Sequence, residues 1–488
     1  MAYKVKFHPE RVEKFCFEGY EYDEANHLAR LSYAFAMDSG SEITFTETFE
    51  FTDAGPLTSD GQRNALDRAL RFLHIAAGVS YYKAAAPGII EIKGAPLLAE
   101  EAAFFEKLYR NGLAEFAYVN RLDLWERIRF PFATTDCCQG EPSTPIERRE
   151  IIDYPWHRGI VVPLGGGKDS LVTMEIMKRA AIPIRLFHVG GNNTNGIIER
   201  IIEASNPEAI RIKRTLSRNL LDLNKNGAYN GHVPISAIIA FVSLAAGILY
   251  GFDTVLISNE RSANVGSFVG NGVIGGGNGT GRRINHQYSK SFEFERDFRA
   301  LVRQNVIEGF HYYSFLRPLS ELMIGRIFSE FRDYHDLFVS CNRAFSLHGK
   351  HKKEWCCDCP KCRFVFLSLA PFFEKKRLVG IFGKNMLDDP GQRKGFLELM
   401  GIGGSKPFDC VGEETESVAA MMLLRDKPEW KDDGIVKGFS DGVYSIPGGY
   451  TDFPSEVFEW SDEHHIPPEF EGLLRKAEGN CRGRRRDS

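Results

Sequence analysis

"GIVVPLGGGKDSLVTMEIMKRA", Gly159 to Ala180, is the stretch whose reading decides the fold. An apolar run of strand length ends in Gly165, Gly166 and Gly167, passes Lys168, Asp169 and Ser170, and continues as an apolar repeat of helical spacing. Short continuous apolar runs bounded by turn residues read as buried strands, and apolar residues three and four apart read as helix. A strand passing through glycines into a helix start is an anion site on physical grounds. The small residues let backbone N–H groups converge, and the helix dipole adds positive potential.

Outward from this stretch the same alternation repeats. "IPIRLFHV" (182–189) and "AIRIKRT" (209–215) read as strands, with the helix "IIERIIEAS" (197–205) between them. "VPISAIIAFVSLAAGILYGF" (233–252) is nearly long enough to span a bilayer, but it leads straight into the strand "DTVLISN" (253–259) and has no immediate Lys/Arg flanks, so a core helix is expected. Apolar strands separated by helices predict an α/β fold with a doubly wound parallel sheet covered on both faces. Ligands then bind beyond the carboxyl ends of the strands, where the glycines and "SNERSAN" (258–264) lie.

Residues 1–150 are expected to form an α+β domain: "ANHLARLSYAFAM" and "SEITFTETFEF" alternate like strands, and a long helix precedes Pro87. The polar, proline-rich stretch 137–150 reads as a linker to an α/β domain over 151–335. A Cys-rich helical region over 336–425 and a tail over 426–488 complete the division. The Gly-rich run 266–283 reads as a surface loop, or a lid over the site.

Composition narrows the function. The 488 residues are 43% hydrophobic and 26% charged, and 61 Lys/Arg against 65 Asp/Glu leave a net charge of -4. That disfavours a nucleic-acid binder. No export signal is visible at the start of the chain, so a cytoplasmic, reducing location is expected and the ten cysteines read as thiols or metal ligands. Cys341, Cys356, Cys359 and Cys362 include a C-x2-C-x2-C run that can aim thiolates at one tetrahedral metal. Structural zinc is the expectation; an iron–sulfur cluster and unmetallated thiols stay open. Cys357 is read as incidental.

The glycine turn is not a Walker A loop, because Val162 stands where the first glycine is needed and Asp169 follows Lys168. Ser170 replaces the last glycine of a dinucleotide fingerprint. The turn resembles the Ser-Gly-Gly-x-Asp-Ser signature of the N-type ATP pyrophosphatases (PP-loop proteins), with Gly165 in place of the leading serine. That resemblance implies cleavage of ATP to AMP and pyrophosphate, and a PP-loop type of sheet. It assigns Gly165, Gly166, Gly167, Lys168, Asp169 and Ser170 to ATP, Mg²⁺ support to Asp169, and an adenine contact to the backbone of Phe187, His188 and Val189.

Further stretches carry a second resemblance: "AAGVSYYKAAAP" (76–87), "NGHVPISAI" (230–238), "YGFDTVLISNERSANVG" (250–266), "NHQYSKSFEFERDF" (285–298), "LRPLSEL" (316–322), "SCNRAF" (340–345), "WCCDCPKCRFVF" (355–366) and "KPFDCVGE" (406–413). Together they are similar to the UDP-N-acetylmuramoyl-L-alanyl-L-glutamate epimerases, the MurL family, from about residue 70 to 420. The resemblance implies ATP- and Mg²⁺-dependent conversion of the terminal L-Glu of UDP-MurNAc-L-Ala-L-Glu to D-Glu in peptidoglycan precursor synthesis. The chemistry is coherent: adenylation cancels the carboxylate charge, and the Cα–H becomes acidic enough for an ordinary general base.

Candidate residues follow. Asn259, Glu260 and Arg261 lie at the ligand edge, with Arg261 suited to clamp phosphate or carboxylate. His232, His286, Tyr288 and Lys290 are candidate acid, base or phosphate ligands, and Cys410 is a candidate acid–base thiol, with Glu413 and Glu414 beside it. Two other readings stay open: another adenylating enzyme of the same superfamily (an amide or nitrile synthase, or an RNA-thiolating enzyme), and a zinc-stabilised nucleotide sensor without turnover.

Overall fold

The structure, a computed structural model, describes residues 6–133, 158–191, 196–269, 282–344, 354–403, 407–444 and 452–483. The linker expected over 137–150, most of the Gly-rich run and residues 484–488 lie outside the described residues.

The chain opens with three antiparallel strands, β1 (Val12–Asp23), β2 (Leu28–Met37) and β3 (Glu42–Phe51). In β3 the alternation of "TFTETFEF" turns Phe45, Glu47, Phe49 and Phe51 inward. Helix α1 (Asp60–Tyr82) starts where Ser59 accepts the Gln62 N–H and lies in the apolar core so closely on β1 that a Cβ at Gly78 would sit 2.4 Å from the Phe17 ring. Strand β4 (Ile89–Ile92) joins β1 in parallel, and α2 (Ala99–Gly112) and α3 (Ala114–Asn120) follow.

The parallel half is built from β5 (Ile160–Pro163), α4 (Lys168–Arg179), β6 (Arg185–Gly190), α5 (Ile197–Ser205), β7 (Ala209–Thr215), α6 (Arg218–Lys225), α7 (Ile235–Tyr250) and β8 (Thr254–Ile257). A short hairpin, β9 (Ser267–Val269) with β10 (Arg282–Ile284), then leads to α8 (Phe292–Asn305) and β11 (His311–Ser314). Helix α7 is the apolar run 233–252: it is buried almost throughout, packs on α1 and ends at Gly251 with φ +68°. Among the described residues no helix is long and apolar enough to cross a membrane.

All nine principal strands form one sheet in the order β11-β8-β5-β6-β7-β3-β2-β1-β4. From β11 to β7 every pairing is parallel, and β3 then joins β7 antiparallel. The boundary expected near residue 150 therefore does not divide the sheet. The seam is held by a buried ion pair between Arg214 of β7 and Glu47 of β3, 2.5 Å apart. The parallel half winds outward from β5 through β6 to β7, then crosses back to β8 and β11. At such a reversal, here between β5 and β8, doubly wound sheets take their ligands in the crevice beyond the carboxyl ends of the strands.

The remaining chain covers this end. Helix α9 (Glu321–Phe328), capped by Ser320, packs on α4, and α10 (Pro360–Leu369) packs on α9. The tail expected over 426–488 packs here too: its helix Pro468–Gly483 joins α9 through the ion pair of Glu478 with Arg326.

Candidate functional site

The turn after β5 takes its shape from its glycines. Gly166 has φ +85°, a conformation open to glycine at little cost, and its carbonyl accepts the Val339 N–H at 2.8 Å. A Cβ at Gly167 would lie 2.9 Å from Ser340 Oγ, whereas nothing lies within 4 Å of one at Gly165. Gly167 is the N-cap of α4 and offers no side chain, so the first N–H groups of the helix stay available to an anion. Ser170 Oγ donates to the Gly167 carbonyl at 3.1 Å.

Three carboxylates converge at this turn. One oxygen each from Asp169, Glu260 and Glu321 lie within 4.8 Å of one another, and Glu260 and Glu321 are buried. Lys168 stands among them: its Nζ is 2.5 Å from Asp169 Oδ1 and also bonds Glu321. Lys361 Nζ approaches Glu321 Oε1 at 3.7 Å and donates to the Cys410 carbonyl. Burial opposes the charge on Lys168, but the two carboxylates outweigh it and hold the ammonium protonated. Burial pushes Asp169 up, with Glu321 and Glu260 adding to the effect and Lys168 opposing it. For Glu321 burial is outweighed by Lys168 and Lys361, and the group is held below its usual range. Such an oxygen set suits a hard divalent cation.

Lys290 borders the same cluster. Its Nζ is 3.5 Å from Cys410 Sγ, and Cys410, Glu260 and Asp169 hold its charge against burial. Arg317 is the buried frame: it donates to the Glu260 carbonyl at 2.9 Å, the Lys290 carbonyl at 2.5 Å and Ser314 Oγ at 2.9 Å. Glu416 fixes α9 from behind by accepting the Glu321 N–H at 2.7 Å, and burial, with Glu413 and Glu321 nearby, pushes it up to about 8.

The other expected residues stand outside the carboxylate cluster. The Arg261 guanidinium donates to the carbonyls of Glu459 and Glu456 in the tail, not into the crevice. Asn259 is buried and donates to Ser314 Oγ at 3.2 Å. His188 Nδ1 lies 3.0 Å from the Leu164 carbonyl, and the Phe187 carbonyl accepts the Leu164 N–H; Val189 pairs with Ile212 of β7 and packs against the core. Tyr288 is buried against Phe294, and His286 lies between His232 and Phe408. The Glu413 N–H donates to Glu416 at the start of the helix Glu414–Arg425, and the Glu414 carboxyl lies over Gly401.

The second cluster is the four cysteines. The sulfurs of Cys341, Cys356, Cys359 and Cys362 lie within 4.8 Å of one another, and those of Cys356 and Cys362 are 3.7 Å apart. A tetrahedral zinc with bonds of about 2.3 Å needs sulfurs about 3.8 Å apart. Cys359 caps α10, its sulfur accepting the Cys362 N–H at 3.4 Å. Cys357 is apart from the set, donating to the Phe382 carbonyl at 3.2 Å. The cluster touches the crevice twice: Val339, which holds the glycine turn, is two residues before Cys341, and Lys361 lies between Cys359 and Cys362.

Comparison with known proteins gives two family matches: residues 6–315 to the MurL N-terminal domain and residues 337–448 to the MurL C-terminal domain. A UDP-N-acetyl-alpha-D-muramoyl-L-alanyl-L-glutamate epimerase of Xanthomonas oryzae pv. oryzae is 39% identical over 465 residues, 95% of this chain and 97% of its own. Proteins of the same name from Micromonospora sp. and Salinispora tropica are 38% and 39% identical over 464 and 433 residues. These alignments cover 95% and 89% of this chain, and 98% and 89% of the relatives.

Proposed function

Since the chain belongs to the MurL family, we propose that it epimerises the terminal L-Glu of UDP-MurNAc-L-Ala-L-Glu to D-Glu through an acyl-adenylate made from ATP. It is an isomerase: its relatives are named as epimerases of that dipeptide. The observation that carries the adenylate is the convergence of the glycine turn, the open N-terminus of α4 and the Asp169–Glu260–Glu321 cluster at the crevice.

In this reading Gly165 to Ser170 cradle the ATP phosphates on backbone N–H groups, with Lys168 moving from Glu321 to phosphate. Asp169, Glu260 and Glu321 would hold a divalent cation, which would supply charge neutralisation for the phosphates. The glutamate carboxylate attacks the α-phosphorus and pyrophosphate leaves. In the resulting mixed anhydride the carboxylate charge is gone, so a base can take the Cα proton. Lys290 faces the enolate oxygen, and the Cys410 thiol beside it exchanges a proton with Cα on one face. Reprotonation on the other face and hydrolysis of the adenylate release the D epimer and AMP. The four cysteines hold a structural zinc that fixes Val339 and Lys361.

The test is incubation with ATP, Mg²⁺ and the L-dipeptide substrate in D₂O. AMP together with D-Glu deuterated at Cα is expected. AMP without deuterium would place the protein with other carboxylate-activating enzymes, and neither product would favour nucleotide binding without turnover.

A further inference from the structure

An epimerisation through a planar enolate requires proton exchange on both faces of Cα, and Cys410 serves only one. A second acid–base group lies nearby, outside every residue the sequence points to. Glu115, in the first turn of α3, is mostly buried, and its Oε2 has no hydrogen-bond partner. The oxygen lies 3.8 Å from Nδ1 of His232, on the segment leading into α7. The His232 ring faces His286 at 6.4 Å, His286 packs on Phe408 at 6.0 Å, and Tyr118 packs on Phe408 at 5.6 Å. Phe408 is two residues before Cys410. Lys290 is common to both groups, bonding Cys410 and repelling a charge on His232.

A buried carboxylate with an unpaired oxygen has a desolvation cost that a structural role would remove by pairing it. Here the neighbours are a second carboxylate, Asp409, and a histidine at the edge of contact. Burial and Asp409 push Glu115 up to about 7, so both of its protonation states are populated near neutrality.

Resting on the adenylate reading above, we propose that Glu115, oriented by His232, is the second catalytic acid–base group, acting on the face of Cα opposite Cys410. In one direction the Glu115 carboxylate takes the Cα proton and the C–H electron pair enters the enolate. Cys410 then delivers its S–H proton to the other face, leaving a thiolate balanced by Lys290. In the reverse direction Cys410 takes the proton and Glu115 returns one. Exchange with solvent resets both groups.

The experiment supplies the L and D epimers of the substrate separately, with ATP and Mg²⁺ in D₂O, to wild type, E115Q, E115D and C410S. AMP release and Cα deuteration are followed independently. E115Q and C410S are each expected to lose epimerisation by ~100-fold or more while still forming AMP. Each is expected to keep exchange with one epimer only, and the epimer differs between the two; E115D partly restores epimerisation. Near-wild-type epimerisation by E115Q, loss of exchange with both epimers, or loss of AMP formation along with exchange would each overturn the assignment. Wild-type epimerisation without AMP would sink the adenylate reading, while the exchange pattern would still decide for or against Glu115.

Discussion

Lys168 and Glu321, 153 residues apart in the chain, form an ion pair closed off from solvent at both ends. It ties the first turn of α4 to the first turn of α9, so the glycine turn and the carboxylate cluster are positioned by one contact. Removing one partner leaves the other buried charge with a single remaining counter-charge, Asp169 for Lys168 or Lys361 for Glu321, so K168M or E321M is expected to lose about 3 kcal/mol of stability in denaturant unfolding. The double variant K168M/E321M, closing the cycle with the singles K168M and E321M, is expected to lose less than the sum of the two, without recovering AMP formation.

Gly165 and Gly166 of the turn are expected to respond differently to substitution. G165S meets open space and is expected to unfold at the wild-type denaturant concentration. G166A places a Cβ at φ +85° and is expected to lose about 1–2 kcal/mol. Thermal or denaturant melts of the two variants check this, and equal losses would contradict the geometry.

Metal removal is expected to reach the crevice. Mass spectrometry under native conditions is expected to find zinc on the wild type and not on C359S or C362S, whose sulfurs complete the cluster. Because Lys361 lies between those two cysteines and bonds the Cys410 carbonyl, the metal-free protein is expected to form AMP more slowly and to open earlier in hydrogen exchange over 355–369.

The pH dependence has a defined sign. Burial, then Asp409, raises Glu115 to about 7, while burial, then Lys290, lowers His232 to about 4, leaving the imidazole neutral. Exchange that uses Glu115 as base needs the carboxylate, so its rate is expected to rise with pH and level off above about 7. Exchange that uses it as acid falls over the same interval. Stability carries the matching signature. The raised folded-state pKa contributes stability below the ordinary carboxylate range, and this is lost as pH rises through about 7. E115Q is expected to remove that slope from the stability profile.

Much of this site is legible from sequence, where chemistry and local structure coincide. The glycine turn shows because its glycines interrupt an apolar strand, the cysteines show by their spacing, and α7 shows by its continuous apolarity. Other parts depend on contacts between distant residues. Glu321 reads as an ordinary acid at a helix start, Lys361 as filler between two cysteines, and Glu115 as one polar position of a short helix. Strand β1 hides because register shifts at Val12/Lys14 and Phe17/Gly19 break its period-two pattern. Arg261 looks available in "SNERSAN", but carbonyls nearly two hundred residues later take its guanidinium. The polar stretch 137–150 reads as a linker between two domains, yet the β3–β7 ladder joins both halves into one sheet and has no local signature.

The two family matches part company at the crevice itself. Asp169, Glu260 and Lys290 lie in the first matched stretch, Lys361 and Cys410 in the second, and Glu321 in the short span between them. Cut in that span, the chain is expected to yield two fragments, each carrying part of the proposed centre and neither turning over alone. Activity regained on mixing would make the protein a split reporter, its own product signalling that the two pieces have met.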